Sequence, residues 1–146
     1  MFLFDVNVLI AIADSEHSHH TTIHEWLSRQ SGGAWASCPL TENGFVRVVS
    51  QPIYRGGARS PCEAIDLLRR MKQAPRWKHY FWADECSLTD PSVFHDTRIA
   101  GPRQITDLYI TALAHSHQAR LVTFDASIPW QAVVGASADT ILVLTS

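Results

Sequence analysis

Apolar positions along this chain follow two rhythms in alternation. Short solid runs read as buried strands: Phe2 to Asp5, Ala34 to Cys38, His79 to Ala83, Arg120 to Phe124 and Ile141 to Leu144. Between them apolar residues recur every three or four positions, the spacing of a helix with one buried face. Asn7 opens the first such segment as its N-cap, and the helix runs to Ala13. His19 to Gln30 puts Ile23, Trp26 and Leu27 on one face, and Ser31-Gly32-Gly33 stops it. Thr41 caps a third helix with Phe45, Val46 and Val49 facing the core. Ser60 caps a fourth with Pro61 in its first position, and Ile65, Leu67, Leu68 and Met71 carry it to about Gln73. Gln104 to His117 is a fifth, through Ile105, Leu108, Ala112 and Leu113. The mixed segment Ala83 to Gly101 leaves room for a short helix near Ser92 to Asp96, and the proline- and glycine-punctuated stretch Gln51 to Pro61 is a loop. Helices between strands at these intervals predict the α/β class, an α/β/α sandwich around a central parallel sheet.

The length of 146 residues suits one domain, read here as residues 1–146, large enough to bury a core without staples. Apolar residues make up 46% and charged residues 18%, which excludes a disordered chain. No apolar run reaches membrane-spanning length, and the opening Met1-Phe2-Leu3-Phe4-Asp5 lacks the basic segment of a signal peptide. Cys38, Cys62 and Cys86 are odd in number and have no close pairing, so they read as reduced packing thiols of a cytoplasmic protein. The net charge of −2 predicts no polyanionic partner, but its distribution does. Ten of the twelve Lys and Arg fall between Arg47 and Arg103, and the first 46 residues hold only Arg29.

Four acids stand in unusual settings. Asp5 and Asp125 end strand-like runs, whereas Glu42 and Asp107 fall in the first turns of helices. In a parallel sheet both positions lie at the carboxyl edge of the strands, where ligands bind. Carboxylates about 5 Å apart repel by roughly 3 kcal/mol per pair at an effective dielectric near 20. Several such pairs would consume much of a small domain's stability of about 5–15 kcal/mol. A hard divalent cation, Mg²⁺ or Mn²⁺, is the counter-charge such oxygens favour, and it suits phosphodiester hydrolysis. Taken singly, Glu42 and Asp107 could merely complement helix dipoles, and Asp125 could be an ordinary turn residue.

Four motifs in order, Leu3-Phe4-Asp5-Val6-Asn7-Val8-Leu9, Leu40-Thr41-Glu42-Asn43-Gly44-Phe45-Val46-Arg47, Gln104-Ile105-Thr106-Asp107-Leu108-Tyr109 and Leu121-Val122-Thr123-Phe124-Asp125, resemble the PIN-domain family. The closer resemblance is to VapC-type toxins of bacterial type II toxin–antitoxin pairs, and it spans about residues 1 to 130. It implies that Asp5, Glu42, Asp107 and Asp125 are the catalytic, Mg²⁺- or Mn²⁺-binding acids of an endoribonuclease. It also implies that Asn7 and Thr106 support that site, that a cognate VapB-like antitoxin covers it, and that the toxin forms a homodimer. Arg47, Arg55 and Arg59 are the candidates for contacting RNA phosphates.

Two other classes compete. Asp5-Val6-Asn7-Val8 after an apolar strand resembles the nucleophile motif of haloacid-dehalogenase-type phosphatases, but an amide at Asn7 cannot serve as their general acid. A catalytically inactive α/β binding module is the other. The histidines His17, His19, His20 and His24 read as a polar helix start with solvated rings, and Trp77 and Trp82 read as core more than as stacking platforms.

Overall fold

The computed structural model describes residues 1–54 and 60–145. Five parallel strands form one sheet: β1 (Phe2–Phe4), β2 (Gly33–Ser37), β3 (Trp77–Phe81), β4 (Arg120–Thr123) and β5 (Ile141–Val143). Their order across the sheet is β3-β2-β1-β4-β5, so β1 is central. The helices are α1 (Val6–Ala13), α2 (His20–Arg29), α3 (Pro39–Val49), α4 (Pro61–Lys72) and α5 (Ile105–Ser116). The predicted α/β/α sandwich is therefore observed. The strand expected at His79 to Ala83 lies two residues earlier, where Gly33 to Ser37 pairs with it residue by residue. The short helix expected near Ser92 to Asp96 is instead a turn followed by 3-10 turns at Asp96–Arg98 and Pro102–Gln104. Arg55 and Arg59 lie outside the described residues.

Strand side chains alternate between two cores, as the period of two requires. Leu3, Ala36 and Leu121 face α5, where they pack with Leu113, Trp82, Phe94 and Ile128. Phe4, Trp35 and Val122 face the layer of α1 to α4, where they meet Leu9, Ile23, Phe45, Leu68 and Trp77. Phe4 stacks on Trp35 with ring centroids 5.1 Å apart, and Phe2 meets Trp26 edge-on at 5.0 Å. Trp77 and Trp82 are both buried, so packing is their use. α5 is buried continuously from Leu108 to Ala114, and its alanines let it lie close on the sheet. Among the described residues no helix is long and apolar enough to cross a membrane.

Two helix starts differ from expectation. α1 begins at Val6 with Asp5 as its N-cap, not Asn7, because the Asp5 carboxylate accepts from the Val6 amide. α3 begins at Pro39 with Cys38 as N-cap, and Thr41 sits inside the first turn, its hydroxyl accepting from the Cys38 amide. The starts of α4 at Ser60 and Pro61 match the sequence reading, with the Ser60 hydroxyl accepting from the Glu63 amide.

Helices α1 and α3 touch through Gly44, where a Cβ would come 2.6 Å from a Val6 methyl. That contact sets the distance between Glu42 on α3 and Asp5 beside Val6. Gly44→Ala therefore costs about 1–3 kcal/mol by overpacking, less up to about 1 kcal/mol from better helix propensity. Urea unfolding should show net destabilisation, and Val6→Ala in the same chain should recover most of it.

Candidate active site

Asp5 follows directly on β1, and its amide extends the ladder by donating to the Val122 carbonyl at 3.1 Å. Its side chain is only 6% exposed. One carboxylate oxygen, Oδ1, accepts from the Val6 amide at 2.6 Å, and the other, Oδ2, accepts from the Thr123 hydroxyl at 2.8 Å. Thr123 ends β4, the neighbour of β1, and its hydroxyl oxygen also accepts from the Asp125 amide at 3.1 Å. One hydroxyl thus joins two of the acids. Asp125 is set in a turn, its Oδ1 accepting from the amide and hydroxyl of Ser127 at 2.7 and 2.6 Å.

Asp107 enters from the first turn of α5. Its pKa is pushed up to about 6, first by burial and then by the charges of Asp5 and Asp125. The Asp5 carboxyl is also raised, chiefly by burial and further by Asp125, against the lowering effect of its bonds to Thr123 and Val6. Three of the four predicted acids therefore act electrostatically on one another at the carboxyl edge between β1 and β4.

Glu42 lies in the first turn of α3, as expected, but within a different set of contacts. Its Oε1 accepts from the Ser37 hydroxyl at 2.5 Å and from the Lys72 ammonium at 2.7 Å. Ser37 ends β2 and lies 2.7 Å from Nε2 of His79 on β3. Burial, then the Lys72 charge, pushes the His79 pKa down to about 4, so the ring is neutral at pH 7. With the Ser37 proton given to Glu42, His79 donates from Nε2, the tautomer this network requires.

The other predicted positions are placed as follows. Asn7 is exposed on α1 and borders an opening that Asp125 also lines. Thr106 is exposed beside Asp107, and Arg47 is exposed in the last turn of α3. The histidines are not simply solvated: Nδ1 of His20 bonds the Ala11 carbonyl at 2.8 Å and Nε2 of His24 bonds the Ile12 carbonyl at 3.1 Å. Cys38 is buried, but Cys62 is exposed on α4 and packs nothing away. Sequence reading missed Thr123, Ser37, Lys72 and His79. Thr123 was within reach, since a parallel register pairing Phe4 with Val122 sets the next residues, Asp5 and Thr123, side by side.

The acids supply hard oxygen donors, and their mutual repulsion is what a divalent ion relieves, so the residues present fit Mg²⁺ or Mn²⁺. That fit is one of donor chemistry: among the described residues no group of three or more Asp, Glu, His or Cys side chains is arranged to hold a metal ion. Glu42, in addition, carries an internal cation.

Parallel strands, a switch point between β1 and β4, and acids at its carboxyl edge define an α/β/α fold with an acidic crevice. The family model of the PIN domain matches residues 2–131, and the chain belongs to that family. Among its relatives, Ribonuclease VapC44 of Mycobacterium tuberculosis is 46% identical over 135 residues, covering 92% of this chain and 93% of the relative. Ribonuclease VapC38 of Mycobacterium tuberculosis is 41% identical, covering 88% of this chain and 87% of the relative. These place the chain with the VapC type. In structure it is similar to VapC20 of Mycobacterium tuberculosis, described as a toxin that cleaves the sarcin-ricin loop, with a TM-score of 0.59 at 11% identity over 93% of this chain and 98% of the other. It is also similar to a chain of FitAB bound to a DNA fragment, with a TM-score of 0.52 at 18% identity over 90% of each. Both likenesses bear on the fold. Family membership replaces the haloacid-dehalogenase alternative.

Two outcomes follow from this geometry. A carboxyl raised in the folded state favours folding below its unfolded value near 3.8, and that contribution is lost as pH rises through about 6. Asp107→Asn removes the loss. In chelator, the variant should match wild type near pH 3.5 and melt about 2–6 °C higher by pH 7, with the gap narrowing when Mn²⁺ is added. Thr123→Val deprives Asp5 of a donor and the Asp125 amide of an acceptor, and should cost about 1–3 kcal/mol in urea unfolding, with Thr123→Ser close to wild type.

Proposed function

We propose that this protein is a Mg²⁺- or Mn²⁺-dependent endoribonuclease and the toxin of a type II toxin–antitoxin pair. The observation that carries the reading is the convergence of Asp5, Asp107 and Asp125 at the β1–β4 edge, where burial and mutual charge raise Asp5 and Asp107. The names of the relatives support it, since VapC44 and VapC38 are both called ribonucleases. Asp5, Asp107, Asp125 and Glu42 are the residues that would hold the ion. When bound there, a divalent ion supplies positive charge for a phosphodiester and lowers the pKa of a coordinated water.

The chain's own residues do the rest. Thr123 and the Val6 amide hold both Asp5 oxygens in fixed directions, which leaves their remaining lone pairs aimed consistently. Asp125, braced by Ser127, is locked to the same hydroxyl. Arg47, exposed on the helix that carries Glu42, would meet a phosphate outside the acid cluster, and Asn7 and Thr106 would support the site. Arg55 and Arg59 remain the further candidates for binding RNA phosphates. The chain acts as one domain in the cytoplasm, forms a homodimer, and is inhibited by a VapB-like antitoxin that covers the acids.

The inactive-module alternative draws on the Lys72–Glu42 ion pair, which occupies one acid with an internal cation. Cleavage decides between them. Purified protein should cut single-stranded RNA in Mg²⁺ or Mn²⁺ and stop in chelator, and Asp5→Asn should lower the rate by at least about 100-fold. Asparagine is the informative replacement because Asp5→Ala also removes the α1 cap, and so mixes a folding cost of about 1 kcal/mol with loss of the carboxylate. Wild-type protein that leaves RNA intact in both metals would establish the binding module.

A further inference from the structure

Beside the acids, the turn joining α1 to α2 and the end of β4 enclose an open cavity of about 450 Å³, lined by Asn7, His17, Ser18, His19, Phe124 and Asp125. The His19 and Phe124 rings are stacked, with centroids 4.3 Å apart and planes 13° from parallel. The His17 ring lies 6.3 Å from Phe124 and 5.8 Å from His19. We propose that this cavity is a nucleobase subsite, where an unpaired base next to the scissile phosphate extends the His19–Phe124 stack. The proposal rests on the ribonuclease reading and names what selects the cleavage position.

Three features support it. Asp125 belongs to both the cavity wall and the acid cluster, so a base in the cavity would lie beside the acids proposed to act on the phosphate. Stacking on aromatic rings is how proteins hold unpaired bases, and the volume lies within the range of about 300–1,000 Å³ usual for ligand sites. Nδ1 of His17 accepts from the His19 amide at 3.2 Å, so the neutral ring carries its hydrogen on Nε2, as a donor for a base edge. Asn7 and Ser18 add further polar edges.

The turn is also built in advance. The Glu16 amide donates to Oδ1 of Asp14 at 2.9 Å, and the His17 amide donates to the Asp14 carbonyl at 3.2 Å. The Tyr54 hydroxyl donates to Oδ2 of the same residue at 2.5 Å. His20 and His24, bonded to the end of α1, fasten the far side. A rigid cavity of this kind binds a base without first ordering a loop.

The test compares wild type, His19→Ala, Phe124→Leu and the stack-retaining His19→Phe, each shown to be folded by melting temperature. Cleavage ends in total RNA are mapped in Mn²⁺, and kcat/KM is measured on the preferred site and on a poor one. His19→Ala and Phe124→Leu should lower kcat/KM at the preferred site by about 5- to 100-fold and flatten the base preference, while His19→Phe stays near wild type. Unchanged preference and efficiency in both losing variants would overturn the subsite. A parallel titration uses single-stranded oligouridylate carrying one 2-aminopurine, with chelator present. Quenching by wild type that is lost in His19→Ala and Phe124→Leu upholds the subsite even if wild type cleaves nothing, an outcome that would instead sink the ribonuclease reading. Equal quenching by all four proteins, or none by any, overturns the subsite.

Discussion

Repulsion among buried carboxylates is the constraint on which this molecule is organised. Burial raises the cost of ionising Asp5 and Asp107, and the charge of Asp125 adds to both, with that of Asp5 adding further at Asp107. Nothing in the hydrophobic layers compensates for that locally, so the fold must supply donors. It does so with a short list of neutral groups: the Val6 amide, the Thr123 hydroxyl, and the amide and hydroxyl of Ser127. Neutral donors fix direction without cancelling charge. These donors orient the Asp5 and Asp125 carboxylates without adding positive charge.

Topology explains why the acids meet where they do. The chain lays β2 and β3 on one side of β1 and then returns to place β4 and β5 on the other. The connections leave β1 and β4 in opposite directions, which opens a crevice at their carboxyl ends. Asp5 and Asp125 follow those two strands, and α5 delivers Asp107 into the same crevice from above the sheet. Because Thr123 pairs alongside Asp5 in register, a slip of one residue in β4 would turn its hydroxyl to the opposite face and leave Asp5 without a donor. The two-sided core, with Leu121 and Val122 buried in opposite layers, is what forbids that slip.

Sequence patterning revealed the sheet class, five strands and five helices because each has enough apolar residues at the right period to announce itself. Its errors are local and have physical causes. Asn7 has the residue type of an N-cap, yet Asp5 takes that role because β1 ends one residue before it and the helix starts at once. Thr41 looked like a cap, but Pro39 fits the first helical position and moves the cap three residues upstream, to Cys38. The acids stood out as charges in apolar settings. Lys72 and His79 did not, since a lysine ending an amphipathic helix and a histidine in a strand carry no local signal of what lies across from them. Only the pairing of β2 with β3 and the packing of α4 on α3 bring them to Glu42.

Glu42 shows that the four acids are two electrostatic environments joined at one sheet edge. Asp5 and Asp125 are braced by neutral donors, whereas Glu42 is braced by a cation and by a hydroxyl that leans on a neutral imidazole. Ser37 and Lys72 both bond Oε1, so neither of these bonds uses Oε2. A carboxylate anchored through one oxygen can still turn the other toward a ligand with little loss of side-chain entropy, because its rotamer is already fixed. The ammonium of Lys72 then tempers the total negative charge that the crevice must carry when no ion is bound. It does so from outside the aspartate cluster, whose oxygens it leaves unoccupied by its own charge. On this view the ion pair and the proposed metal are compatible, and the division of labour follows from where each acid is carried: Asp5 and Asp125 after β1 and β4, Asp107 on α5, and Glu42 on α3 beside the end of β2.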